Sequence, residues 1–241
     1  MKHSMRILFA IVALACAIIP ALAQAGFTVR PVVWLLIVDD SASVPADQAR
    51  RYPEMLRRAA FELMRPNDVV ILMRLDSPAV DSTTLDAHYP RLRQQVEDLH
   101  ARVVAMPRRK RGGHTDFHRV LAHARERMQI ERQTGRQDAR YVLVFATDGK
   151  PDPDRSRKVR SAGDASYLSD WRMLVLGLHP ENDAALRAVC REAGFTDESR
   201  MLFVSYEQWG SVDGAVARFV ERQPDTALQR RLSKIAPAQT R

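Results

Sequence analysis

The sequence predicts an α/β fold: an open, mostly parallel central sheet with helices on both faces, in three layers, and one short antiparallel strand at an edge. Two observations predict the layers. Near-continuous apolar runs such as "VVWLLIVD" (32–39) have the pattern of strands covered on both faces, and stretches of helical period alternate with them along the chain. A third observation predicts the edge. "SPAVDSTTLD" (77–86) follows a buried run directly and makes a short extended return strand, where Pro78 does least damage.

After the first strand, Pro45 opens "PADQARRYPEMLRRAAFELM", a helical stretch in which Ala49, Tyr52, Leu56, Ala60, Phe61 and Met64 share a face; Pro53 inside it either bends or divides it. Pro66 and Asn67 end this segment, and "DVVILMRLD" (68–76) is a second buried strand. Residues 90–104 turn Leu92, Val96, Leu99 and Val103 to one inward face, and "AMPRRKRGGHTDF" is a loop. From Phe117 to Gln133 the apolar residues return at helical spacing. "RQDARYVLVFATDG" (136–149) is a strand entering a polar turn, and "WRMLVLGLH" (171–179) is another buried strand. "ENDAALRAVCREAG" is a helix closed by Gly194, "RMLFVSYE" the last strand and "VDGAVARFVE" the last helix. Residues 223–241 contain two prolines, are polar and basic, and have no long apolar face. They read as a tail, so the domain is expected over 31–222.

Residues 1–25 combine Lys2 and Arg6, an apolar run from Ile7 to Ile19 and the small residues of "ALAQA". These are the physical requirements of a secretory signal peptide, with cleavage after Ala23 or Ala25 fitting equally well. The uncharged stretch is short for a full membrane crossing, and no later stretch is apolar for long enough to span one. Removal of the leader takes Cys16 with it and leaves Cys190 alone, so the mature chain has no internal disulfide and an ordinary hydrophobic core must stabilise it. The helical apolar pattern around Cys190 reads as an inert core thiol. The full chain carries a formal charge of +8, which loss of Lys2 and Arg6 reduces to +6. Such a balance can attract an acidic protein surface; export makes nucleic acid an unexpected partner.

In open α/β sheets ligands collect outside the carboxyl ends of the strands, near the point where strand order reverses. Three polar clusters fall at such positions. Asp39, Ser41 and Ser43 follow the first strand and can turn one carboxylate and two hydroxyls toward one centre, although an Asp/Ser turn capping the next helix has the same composition. "GGHTD" (112–116) offers Thr115 at a helix start, with Gly112 and Gly113 permitting an unusual backbone path and Asp116 equally readable as a helix cap. "VFATDGK" ends a core strand in an Asp-Gly turn that projects Asp148, with Gly149 shaping the turn. Together Asp39, Ser41, Ser43, Thr115 and Asp148 supply three neutral hydroxyls and two carboxylates. That set suits a hard cation, Mg²⁺ with Mn²⁺ or Ca²⁺ as alternatives, and leaves it electrophilic enough to take an outside carboxylate.

On these residues the chain resembles the von Willebrand factor type A domain family, whose metal-ion-dependent adhesion site joins D-x-S-x-S to a distant threonine and a distant aspartate. Here the motif is Asp39-Asp40-Ser41-Ala42-Ser43, the threonine is Thr115 and the aspartate is Asp148, in matching order over about residues 31–222. The resemblance implies a Rossmann-like three-layer fold, metal contact by Ser41 and Ser43, direct or water-mediated contact by Thr115, and a water-mediated part for Asp39 and Asp148. Asp116 matches a frequent family aspartate that supports loop geometry. Starting the motif at Asp40 would put Ala42 and Val44 at the serine positions, so Asp40 shapes the acidic rim or bonds the loop without a secure metal role. Arg108, Arg109, Lys110 and Arg111 precede the threonine loop and can steer an acidic partner, as can His114 by contact.

The expected action is therefore non-covalent capture of an Asp or Glu carboxylate on a separately encoded protein, by an exported domain whose expected compartment is the periplasm, with secretion or envelope association as the alternatives. A structural assembly module of an envelope complex uses the same capture. A magnesium-dependent phosphoryl hydrolase is the enzymatic rival, but G-x-x-x-x-G-K-[ST] is lacking and "DDSAS" does not supply a D-x-D pair.

Overall fold

The computed structural model describes residues 30–41, 44–75, 81–106, 116–151, 170–211 and 213–235. The chain separates into two compact units, Met1–Arg30 and Pro31–Arg241, and the second contains every strand and helix named below. The expected leader lies outside the described residues.

Six strands, β1 (Val32–Val38), β2 (Val69–Arg74), β3 (Asp81–Thr84), β4 (Arg140–Ala146), β5 (Trp171–Leu178) and β6 (Met201–Ser205), form one sheet in the order β3-β2-β1-β4-β5-β6. β3 runs antiparallel to β2 at one edge and the other pairs are parallel, as the apolar runs and the short return strand predict. The helices are α1 (Ala46–Ala59), α2 (Tyr89–Val104), α3 (Phe117–Gln133), α4 (Asp183–Glu192), α5 (Asp213–Val220) and α6 (Thr226–Leu232).

β1 shows why its run is apolar throughout. Trp34, Leu36 and Val38 join a core with α1, α2, α5 and α6 on one face, while Val33, Leu35 and Ile37 join a second core with α3 and α4 on the other. Side chains alternate across a strand, so a strand buried on both faces has no position for a polar residue. Cys190 lies in the second core, its thiol pushed up to about 12 by burial, and is the inert group its setting predicts.

Two sequence expectations are decided by packing. α1 runs unbroken through Pro53. Its buried Tyr52, Met55, Leu56 and Ala59 outweigh the roughly 3 kcal/mol that an interior proline costs a helix. The segment read as a polar tail is corrected over Thr226–Leu232, which is helical. Asp225 caps α6 by accepting from the backbone N–H of Ala227 and Leu228 at 2.7 and 3.1 Å, and Leu228 and Leu232 are fully buried. A helix this short shows only one apolar i, i+4 pair, too little for periodicity to reveal.

The order of the strands places the site. From β1 the chain crosses to β2 on one side, whereas β4 lies on the other side and leads outward to β5 and β6. Strand order therefore reverses between β1 and β4, whose carboxyl ends are level because Val38 pairs with Ala146.

Candidate functional site

Asp39 and Asp148 leave the sheet at this reversal. The backbone N–H of Asp39 donates to Ala146 O at 2.9 Å, extending the ladder one step beyond β1 and fixing where the carboxylate emerges. Its two oxygens are held from different elements: Ser41 N donates to Oδ1 at 2.9 Å, and Thr147 Oγ1 donates to Oδ2 at 2.7 Å across the reversal. The Ser41 side chain also bonds Asp39. Thr147 in turn accepts from Gly149 N at 2.9 Å, so one hydroxyl ties the Asp39 loop to the Asp148 turn.

The Asp148 turn is equally constrained. Asp148 Oδ1 accepts from Lys150 N at 3.0 Å, and its carbonyl accepts from His179 N at 3.1 Å and Asn182 Nδ2 at 2.9 Å. Gly149 has φ +77°, a conformation that favours glycine, and a Cβ there would stand 2.2 Å from Leu178 Cδ1, whose side chain would have to move. Behind the turn, Gln48 of α1 donates to Gly177 O, and its Oε1 lies 3.0 Å from His179 Nε2.

The electrostatics are unusual for two adjacent acids. Asp39 is 2% exposed and Asp148 3%. Burial pushes the Asp39 carboxyl up to about 6, against the hydrogen bonds from Ser41 and Thr147, and the nearby charge of Asp148 adds to the rise. Asp148 is raised as well, chiefly by burial, with Lys150 and His179 pulling the other way more weakly. Among the described residues neither carboxylate forms an ion pair with Arg, Lys or His. Two buried anions that repel one another are costly unless a cation offsets them. Oxygen donors with one small hydroxyl residue, Ser41, beside them suit a hard divalent ion, so the residues present fit the metal that the sequence implies. Among the described residues no group of three or more His, Cys, Asp or Glu side chains could hold a metal.

Of the predicted site residues, the structure brings Asp39, Ser41 and Asp148 to one sheet edge. Ser43, Thr115, Gly113, His114, Arg108, Arg109, Lys110 and Arg111 lie outside the described residues. Asp116 is the N-cap of α3, accepting from Arg119 N at 3.0 Å. Asp40 is buried and pairs through Oδ2 with Arg74 Nη1 at 3.3 Å. Sequence reasoning missed the parts of Thr147 and Arg74. Thr147 precedes Asp148 directly in "ATDG", but nothing local shows that its hydroxyl reaches Asp39.

The molecule is thus an open α/β domain with acidic and hydroxyl side chains at its strand-order reversal. The von Willebrand factor type A domain profile matches residues 35–213, most of the chain, and the chain belongs to that family. Among solved structures it is similar to proximal thread matrix protein 1 from the mussel byssus, with a zinc-occupied MIDAS motif: 15% identity, TM-score 0.51, covering 79% of this chain and 48% of that one. It thus spans about half of the mussel protein, and the likeness is one of fold. The manganese-loaded TRAP protein of Plasmodium vivax aligns at 14% identity and TM-score 0.46, over 81% of this chain and 76% of that one. No curated protein matches by sequence.

Proposed function

We propose that this domain binds a separately encoded protein by metal-assisted capture of an Asp or Glu carboxylate. The cation is held by Asp39, Ser41, Ser43, Thr115 and Asp148. One observation carries the reading: Asp39 and Asp148 are buried together at the sheet reversal, and among the described residues no ion pair offsets them. A divalent ion bound there supplies positive charge that balances the two acids and attracts an external carboxylate. The chain's own contribution is orientation. Thr147 and Ser41 fix both Asp39 oxygens, Gly149 allows the turn that aims Asp148, and Gln48 and His179 brace that turn from α1 and from the end of β5.

Magnesium is the proposed ion because carboxylate and hydroxyl oxygens are hard donors; the zinc in the mussel structure supports only that the fold accommodates a divalent cation. Binding rather than hydrolysis is favoured by the same donor set, in which the buried acids are engaged by hydroxyls and backbone N–H groups. The leader-like residues 1–25 support export, with the periplasm as the proposed compartment. No described helix is long and apolar enough to cross a membrane.

The test is affinity capture from a cell-envelope extract with the wild-type chain in magnesium, with the same chain after chelation, and with Ser41→Ala. A protein partner retained only in the first arm is the expected result. Identical catches in all three arms would overturn the reading.

A further inference from the structure

The "DDSAS" stretch places a third acid, Asp40, next to the proposed cation ligands. Consecutive Cα atoms are about 3.8 Å apart, so the Asp40 carboxylate lies within about 10 Å of any ion held by Asp39 and Ser41, close enough for its charge to be felt. Its side chain is only 4% exposed, and burial strengthens that influence. A third uncompensated acid would bind a cation more tightly. It would also cancel the residual positive charge that an incoming carboxylate needs.

The fold answers this from the neighbouring strand. Arg74 is the last residue of β2, paired in register with Val38, the last residue of β1. Leu75 N donates to Val38 O, holding the two strand ends together just before Asp39 and Asp40. The Arg74 guanidinium consequently reaches Asp40 Oδ2 at 3.3 Å while its own side chain stays 28% exposed on the same sheet edge. Among the described residues Asp39 and Asp148 have no such partner. Among the described residues, the acids Asp39, Asp40 and Asp148 of this edge are thus divided: one is neutralised by an arginine, and two are left for a cation.

We propose that Arg74 is a positioning residue that, by pairing with Asp40, keeps this third carboxylate out of the cation's donor set and sets the charge of the site. The proposal rests on the reading of the Asp39 edge as a cation site and adds a determinant of its affinity. Its signature is the sign of the effect, since simple damage to the site weakens cation binding whereas loss of the Arg74 charge strengthens it.

The experiment titrates the full chain with Mn²⁺ by calorimetry, alongside thermal unfolding in chelator to register folding. Arg74→Gln is expected to bind Mn²⁺ on the order of tenfold more tightly than wild type. Asp40→Asn binds it more weakly by a similar factor, the double variant returns close to wild type, and Arg74→Lys, which keeps the charge, stays there. Unchanged or weaker binding by Arg74→Gln, or unchanged binding by Asp40→Asn should the arginine variant unfold, overturns the proposal. A wild-type chain that binds no Mn²⁺ overturns the cation site together with it. Wild-type binding that Ser41→Ala abolishes but neither Arg74→Gln nor Asp40→Asn alters removes the role of the pair alone.

Discussion

Two buried aspartates at opposite edges of the sheet have nearly the same burial and opposite surroundings. Asp68 precedes β2 at the amino edge and is fully buried. It accepts from Val32 N at 2.9 Å, Arg65 N at 2.9 Å and Trp34 Nε1 at 3.0 Å, and from Arg222 Nη2 at 3.2 Å. Burial raises its carboxyl, but the Arg222 charge and these donors oppose the rise from within the molecule. Asp39 at the carboxyl edge has hydroxyl and N–H donors, and its nearest charged influence is another acid. Burial alone therefore does not mark a functional acid. An acid whose counter-charge is built into the fold is structural, whereas one whose counter-charge must come from outside is a candidate site.

Substitution of the two acids should produce the largest and most divergent effects. Asp68→Ala leaves the Arg222 guanidinium buried without its carboxylate and should cost about 3–5 kcal/mol in chemical denaturation, whether or not a cation is present. Asp39→Asn should change stability in chelator by no more than about 1 kcal/mol, because it removes one of two repelling charges. The same variant should lose the rise in unfolding temperature that a saturating divalent cation confers on wild type, a rise equivalent to about 2.7 kcal/mol at a hundredfold excess over Kd. A large loss of stability for Asp39→Asn in chelator would erase the contrast.

A smaller effect sharpens the geometric side. Gly149→Ala forces a positive φ on alanine and drives its Cβ to 2.2 Å from Leu178 Cδ1, so it should destabilise by about 1–3 kcal/mol and weaken cation affinity by displacing Asp148. Destabilisation without any change in affinity would show that the turn does not aim the carboxylate.

The smallest effect comes from a buried group that belongs to neither edge. His100 packs edge-on against Phe61, its Nε2 lies 3.3 Å from Pro53 O, and burial lowers its pKa below the usual 6.5. The folded protein therefore keeps it neutral where the unfolded chain takes up a proton. Its contribution is present above pH 6.5 and is lost as pH falls through that value toward the lowered one. His100→Gln should flatten this part of the stability profile relative to wild type, measured by denaturation between about pH 7.5 and 5. An unchanged slope would show that the ring titrates equally in both states.

The central strands were legible because burial on both faces leaves an unbroken apolar run, as in residues 32–38 of β1. That Asp39, Ser41 and Asp148 arrive together at the ends of strands was legible because polar residue types directly follow the apolar runs, where the chain must turn. α6 was not, since Leu228 and Leu232 acquire meaning only against the core that covers them. Nor was the division between Asp39 and Asp40, adjacent acids that differ in what other strands present to them: Thr147 from β4's end to one, Arg74 from β2 to the other.

The alternation of buried strands and amphipathic helices, and the residue types that arrive at the strand ends, follow from the sequence, because periodicity and local chemistry are properties of neighbours along the chain. The tertiary structure alone decided that strand order reverses between β1 and β4, that a threonine 108 residues from Asp39 holds its carboxylate, and that Asp40 is neutralised while Asp39 is not. Those outcomes depend on distances between residues remote in sequence, and Coulomb and hydrogen-bond energies are set by such distances and by burial.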